Sequence, residues 1–320
     1  MSISVMILTK NNSSSLTDTI DSVIDIADSI IVVDTGSEDD SPVIASKKGA
    51  EVFFFNWNDN FSDARNFALK HIHTEWVLVL DSDEILTKFD MDVFQSISSN
   101  PRVGGINLKI ANNLSNDNNN SEIRTHRYTR LFRNCDKFRF EGRIHEQIKH
   151  SIEAAGFETV ESDFCINHYG YSKKSISRYE RNIRLLKSDL LDSPYDDYKK
   201  FHLAETYFVD GNYEEAELIY KKIQYSDELS TSQSEMVQLR LAQTALRNDD
   251  LERVEELTKS ASNDEQNEAL RLYVRGTAFL LRQNYPDALI CFETCLRIAS
   301  PSLSRKDLES ALSLTKRISK

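Results

Sequence analysis

Apolar residues near the start of the chain follow two alternating rhythms. Short apolar runs, Ile3 to Leu8, Ile30 to Val33, Val52 to Phe55 and Trp76 to Leu80, have the length and composition of strands. Between them the spacing changes to three and four. Leu16, Ile20, Val23 and Ala27 follow a Ser/Asn cluster able to cap a helix, and Phe61, Ala64, Ala68 and His71 share one helical face. Continuous apolar strands separated by helices predict an α/β fold whose parallel sheet is covered on both faces. Ligands of such sheets sit beyond the carboxyl ends of the strands.

After about residue 100 the rhythm changes. Gly105 to Ile110 reads as a further strand, and Asn112 to Ser121 as an exposed Asn/Ser-rich loop. Arg127 to Phe132, Phe138 to Ile148 and Phe164 to Tyr169 read as additional strands or extended segments, so the sheet turns mixed towards its far edge.

Strand signals stop at Lys173. A polar helix over Ser177 to Leu191 leads to Ser193-Pro194, and beyond it the sequence repeats. LAETYFVDGNY (Leu203 to Tyr213) matches LAQTALRNDDL (Leu241 to Leu251) and, more loosely, RGTAFLLRQNY (Arg275 to Tyr285). The small residues Ala204, Ala242 and Gly276 lie 38 and 34 positions apart (242 − 204 and 276 − 242). That period is the tetratricopeptide one, in which small residues let paired helices approach closely. Pro286 near the start of a helix fits the helix-entry rule. Three repeats are expected.

Composition narrows the function classes. Of 320 residues, 40% are apolar and 28% charged, in the globular range, and the net charge of -12 argues against a broad nucleic-acid surface. A small anionic ligand remains compatible, since backbone amides, a metal or a few arginines can hold one locally. No stretch resembles a membrane span, and Met1 to Leu8 is too short and lacks the basic leader of a signal peptide. The four cysteines, Cys135, Cys165, Cys291 and Cys295, form no CxxC pair; Cys291 and Cys295 read as small buried residues. A reduced, cytoplasmic protein is expected.

The strongest chemical signal is Asp81-Ser82-Asp83 at the end of the apolar run WVLVL. Carboxylates two apart on an extended chain face one side, where both can meet one hard divalent cation. A simple acidic turn closing the strand is the alternative. The segment IIVVDTGS similarly runs a strand into Asp34, which can accept hydrogen bonds from a base or ribose or merely close a turn. Neither GxGxxG nor GxxxxGK[ST] occurs, which removes support for a nicotinamide enzyme or a P-loop phosphotransferase.

Taken in order, ISVMILTKNN, IIVVDTGSEDDS, FNWNDNFSDARNFAL, WVLVLDSDE and RLFRNCDKFRFEGRIHEQI resemble the family 2 glycosyltransferases. More narrowly, they are similar to the bacterial subgroup with C-terminal tetratricopeptide repeats that is related to glycocin-type peptide S-glycosyltransferases. The resemblance covers residues 2 to 172. It implies a GT-A (Rossmann-like) nucleotide-sugar-binding domain over 1–172, a linker helix over 173–193 and an all-α, TPR-like helical-repeat domain over 194–320. It also implies a UDP-sugar donor, Mg²⁺ or Mn²⁺, and inversion at the anomeric carbon. By position, Thr9 and Asn11 would line the nucleotide pocket and Asp34 would contact uracil or ribose. Arg65 and Asn66 would reach the base or diphosphate, Asp81 the ribose or metal, and Asp83 and His168 the metal.

Inverting transfer needs a group to take the acceptor's proton. The Glu-Asp pair of many family 2 enzymes is absent at the corresponding region, where the chain offers EGRIHE. Glu146 is the favoured base and Glu141 its rival; in an extended segment the two would point to opposite faces. A thiol acceptor would need a weaker base. The expected partners are a UDP-sugar and a peptide, protein or glycan acceptor, with self-association through the repeats as another use of the helices. The competing class is a non-catalytic, repeat-based binding module with a degenerate nucleotide-sugar domain. Retention of Asp34, Asp81, Asp83, Glu146 and His168 together speaks for the enzyme.

Overall fold

The computed structural model describes residues 1–115, 121–168, 176–298 and 305–319. The chain divides into two compact units, Met1–Leu114 with Thr125–Lys173, and Ser115–Arg124 with Lys174–Lys320.

The first unit opens with β1 (Ile3–Thr9), α1 (Leu16–Asp21), β2 (Ser29–Asp34), α2 (Ser41–Lys47), β3 (Glu51–Phe54), α3 (Phe61–Leu69) and β4 (Trp76–Asp81). It continues with β5 (Glu84–Lys88), α4 (Met91–Ser98), β6 (Val103–Ser115), β7 (Ser121–Arg133), α5 (Lys149–Ala154) and β8 (Glu158–His168). The strands form one eight-stranded sheet in the order β3-β2-β1-β4-β7-β6-β8-β5. β1 to β4 are parallel to one another, whereas β7 is antiparallel to β4 and β5 antiparallel to β8. The sheet is therefore mixed, as the change of rhythm after residue 100 predicts.

The alternation of β1 builds two cores. Ile3, Val5 and Ile7 join Leu16, Ile20, Ala45 and Phe94 on one face, while Met6 and Leu8 join Ala64, Ala68 and Ile152 on the other. Every residue of β1 is therefore buried, which explains why all but Ser4 and Thr9 are apolar. Each such side chain contributes about 1.5–3 kcal/mol on leaving water. The register sets Thr9 beside Asp34 and Leu8 beside Asp81, so three acid- or hydroxyl-bearing strand ends are neighbours. The strand order reverses direction at β1, between β2 and β4, which is where a parallel sheet opens a crevice for ligands.

Three expectations change. Residues 138–148 form neither a strand nor an extended run but a loop closed by two Glu141–Gln147 backbone hydrogen bonds of 3.0 Å. Gly142 (φ 99) and His145 (φ 53) adopt left-handed backbone that no strand allows. Side chains of Asn66, Ser62 and Ser151 take the loop's backbone groups that a neighbouring strand would otherwise use. Asn112 to Ser115 extend β6 and Ser121 begins β7, because Ala111 and Asn112 still pair with Asn167 and His168; the intervening 116–120 lie outside the described residues. The end of the expected last strand, Tyr169, also lies outside them. β5 is an additional strand.

In the second unit α6 (Ile176–Asp192) is followed by α7 (Asp197–Asp210), α8 (Tyr213–Ile223), α9 (Thr231–Arg247), α10 (Leu251–Leu257), α11 (Glu265–Leu281), α12 (Tyr285–Ile298) and α13 (Arg305–Ile318). The three sequence repeats are the pairs α7–α8, α9–α10 and α11–α12. Ala204 and Ala242 are fully buried, and a Cβ on Gly276 would stand 2.8 Å from Phe292 Cε1. Small residues at these positions are thus a packing requirement. Glu205 of α7 ties the first repeat to the second: Tyr220 of α8 donates to it, and Arg240 of α9 grips it with two hydrogen bonds of 2.9 Å. No helix among the described residues is long and apolar enough to cross a membrane.

Candidate active site

Beyond the strand ends, Asp34 is buried at 1% exposure. Its Oδ1 accepts the backbone N–H groups of Gly36 and Ser37 at 2.9 and 2.8 Å, closing the turn after β2. Gly36 has φ 102, a conformation that favours glycine. Asp34 Oδ2 and the neighbouring Thr9 Oγ1 are buried with no hydrogen-bond partner among the described residues. Asn11 (φ 52) stands at the rim, where its Oδ1 accepts the Glu38 N–H at 2.7 Å and its own N–H is held by Ser37 at 2.9 Å.

At the end of β4 two arginines and three acids interlock. Arg65 on α3 donates through Nη2 to Asp81 at 2.6 Å and through Nε to Glu146 at 2.5 Å. Its Nη1 is buried without a partner among the described residues. Arg130 on β7 lies 2.9 Å from Glu84 and 3.4 Å from Asp81. Burial alone would raise the Asp81 pKa, but Arg130 and Arg65 outweigh it and hold the carboxyl well below its usual value. Burial raises that of Glu84, which is 1% exposed. For both arginines, the surrounding carboxylates override the effect of burial and strengthen the charged form.

Asp83 faces His168, with Oδ2 3.2 Å from Nε2. Asn112 meets the other ring nitrogen at 2.9 Å. Burial lowers the His168 pKa, yet the hydrogen bond and charge of Asp83 win and the net direction is upward. His126, 3.2 Å from Asn112, is pushed down to about 4 by burial and by Arg130. Burial likewise pushes His145 down to about 4 against the pull of Glu146.

The structure therefore brings Arg65, Asp81 and Glu146 together, Thr9 with Asp34, and Asp83 with His168. Asn66, expected to reach the base or diphosphate, instead engages both ends of its amide with the Phe140 backbone, at 2.9 and 3.0 Å, and anchors the loop. Glu141 pairs at 3.0 Å with the exposed Arg139 and takes no part in the arginine network. Among the described residues no three His, Cys, Asp or Glu side chains cluster as a metal cage. Sequence reasoning missed Glu84, Arg130 and Asn112. Glu84 directly follows the acidic pair, and Arg130 lies in an alternating strand; those positions were the available signals.

Residues 4–159 match the family described as glycosyl transferase family 2. A TPR repeat-containing protein of Synechococcus elongatus is 33% identical over 186 residues, which is 55% of this chain and 45% of that protein. The SPbeta prophage-derived glycosyltransferase SunS of Bacillus subtilis is 25% identical over 68% of this chain and 52% of its own. An uncharacterized glycosyltransferase of Rickettsia conorii is 40% identical over 30% of this chain and 33% of its own. The chain thus spans about half or less of the length of these relatives. Among solved structures, S. aureus TarS 1-349 in complex with UDP-GlcNAc gives a TM-score of 0.41 at 16% identity, covering 89% of this chain and 92% of that one. The strand ends bearing Thr9, Asp34, Asp81 and Asp83 lie within the stretch, residues 4–159, that is similar to the family 2 glycosyltransferases.

Proposed function

We propose that the chain moves a sugar from a UDP-sugar donor to a peptide, protein or glycan acceptor, with inversion at the anomeric carbon. The observation that carries this reading is the pair of unpartnered buried oxygens, Thr9 Oγ1 and Asp34 Oδ2, at adjacent strand ends of the glycosyltransferase domain. Buried polar atoms without partners are costly. The imide N–H of uracil or a ribose hydroxyl would satisfy them, and the exposed Asn11 stands two residues beyond Thr9.

Asp83 and His168 fit a divalent cation. One carboxylate oxygen and one imidazole nitrogen converge, and Mg²⁺ or Mn²⁺ completes its shell with donor phosphates and water. When bound, the metal would offset charge on the leaving diphosphate. Asp81, bound to two arginines, would serve the ribose and the shape of the turn. Glu146 would be the base: Arg65 fixes one of its oxygens, Oε1, and the other is left to take the acceptor's proton. The linker helix over 173–193 and the repeats over 194–320 would bind the acceptor, since repeat arrays offer an extended binding surface.

A panel of UDP-sugars incubated with the protein and Mg²⁺ or Mn²⁺, read by mass spectrometry, tests the reading. Consumption of one donor with release of UDP, abolished by chelator and by Asp83→Ala, is the expected result. Cleavage of a nucleoside triphosphate with every UDP-sugar left intact would overturn it in favour of a nucleotidyltransferase.

A further inference from the structure

The turn that carries Asp81 and Asp83 is held from both sides by side chains with no part in the chemistry above. From the β1–α1 side three groups grip Ser82. Asn12 Nδ2 donates to its hydroxyl at 2.8 Å, while Ser15 Oγ and Thr19 Oγ1 donate to its carbonyl at 2.9 and 3.0 Å. Thr19 is fully buried on the face of α1 that carries Leu16 and Ile20 into the core. An aliphatic side chain would suit that face better; the hydroxyl finds its use at Ser82.

From the sheet side, Glu84 accepts the Asp81 backbone N–H at 2.8 Å through one oxygen and Arg130 at 2.9 Å through the other. Its backbone also pairs with His168 across β5 and β8. One buried side chain therefore touches the first acid of the turn directly and shares a strand register with the histidine that faces the second. Asp81, Asp83 and Glu84 crowd three carboxyl groups into four positions, an arrangement that disperses unless fixed by neighbours.

We propose that Thr19 and Glu84 are positioning residues that brace this turn from opposite sides, so that Asp83 and His168 are set for a divalent cation before the donor arrives. The proposal rests on the donor-and-metal reading given above. Ligand groups held in place by neighbours lose less freedom on binding, and removing such outer partners typically lowers metal affinity about 10–100-fold.

The test uses the full chain with Mn²⁺ as probe, following free ion by electron paramagnetic resonance in the presence of UDP, with thermal melting in parallel. Thr19→Val keeps the shape of the side chain and deletes only the hydroxyl, and Thr19→Ser keeps the hydroxyl. Glu84→Gln keeps the shape but meets Asp81 N–H or Arg130 with an amide donor. We expect Thr19→Val and Glu84→Gln to weaken Mn²⁺ binding about 10–100-fold while UDP affinity without metal stays at the wild-type value. Thr19→Ser should bind Mn²⁺ like the wild type. Unchanged Mn²⁺ affinity in folded Thr19→Val and Glu84→Gln would overturn the brace, as would a Thr19→Ser variant as weak as Thr19→Val. A wild-type chain that binds no Mn²⁺ with UDP would overturn the donor-and-metal reading itself, and the brace with it.

Discussion

Arg65 and Glu146, 81 residues apart in sequence, meet in an ion pair of 2.5 Å. The loop that delivers Glu146 is tied to α3 by Asn66, by Ser62 at the Gly142 carbonyl and by the Phe61 N–H at Arg143. The same helix that supplies the arginine thus fixes the carboxylate it binds.

Arg65→Ala should lower unfolding free energy by about 3–5 kcal/mol, because it leaves Glu146 and Asp81 without their shared cation. Urea titration would measure the loss, and a change below 1 kcal/mol would remove Arg65 from a structural role. Glu146→Gln keeps the volume and one acceptor for Arg65. It should reduce sugar transfer by 10²-fold or more while UDP still binds, about the contribution of a general base. Transfer at the wild-type rate in that variant would move the base elsewhere.

The pH dependence of stability isolates the two depressed histidines. His126 and His145 are held down to about 4 in the folded state, against an ordinary value of 6.5. Between those values the unfolded chain binds more protons, so both residues make stability fall as pH drops from about 6.5 to 4. Each contributes at most about 1.4 kcal/mol per pH unit. Glu84, raised by burial, acts in the opposite sense as pH rises from its ordinary value, so variants separate the contributions better than the wild-type curve. His126→Asn should flatten the fall within this window. An identical pH profile in the variant would show that His126 titrates normally in the folded protein.

Much of this arrangement was legible in the sequence. The apolar run ISVMIL marked β1 because both faces of the sheet are covered, and WVLVL running into Asp81 placed the acids at a strand end. The repeat spacing of Ala204, Ala242 and Gly276 gave the helix pairs, since close approach forbids larger side chains there. β5 escaped notice because it is five residues long and begins at the acid Glu84 itself. The loop over 138–148 read as extended because Phe138 and Phe140 alternate as strand residues do, yet backbone groups of the loop are held by the side chains of Ser62 and Asn66 on α3 and Ser151 on α5. Glu84 and Arg130 were not singled out; their burial together, on β5 and β7, shows that each supplies the other's counter-charge.

Gly276→Ala tests the packing of the third repeat. The added methyl would lie 2.8 Å from Phe292 Cε1 and 3.0 Å from Cys291 Cβ, and Phe292 is fully buried. Overpacking of this kind costs about 1–3 kcal/mol, which outweighs the gain of about 1 kcal/mol in helix propensity. A lower melting temperature is expected, with recovery in Gly276→Ala combined with Phe292→Leu. A single variant more stable than the wild type would show that the α11–α12 contact gives way easily.

Asp34→Asn separates the two roles of one carboxylate. Its Oδ1 holds the turn through Gly36 and Ser37, and an asparagine oxygen can replace it there. The unpartnered Oδ2 would become an amide nitrogen, which donates where a uracil imide or a ribose hydroxyl also donates. Two donors facing one another in a buried pocket leave both unsatisfied, so UDP affinity should fall by about 1–3 kcal/mol while the melting temperature changes little. Calorimetric titration with UDP measures the first quantity and thermal unfolding the second. Unchanged UDP affinity would confine Asp34 to the turn; a large fall in stability at unchanged affinity would show that Oδ2 works within the protein.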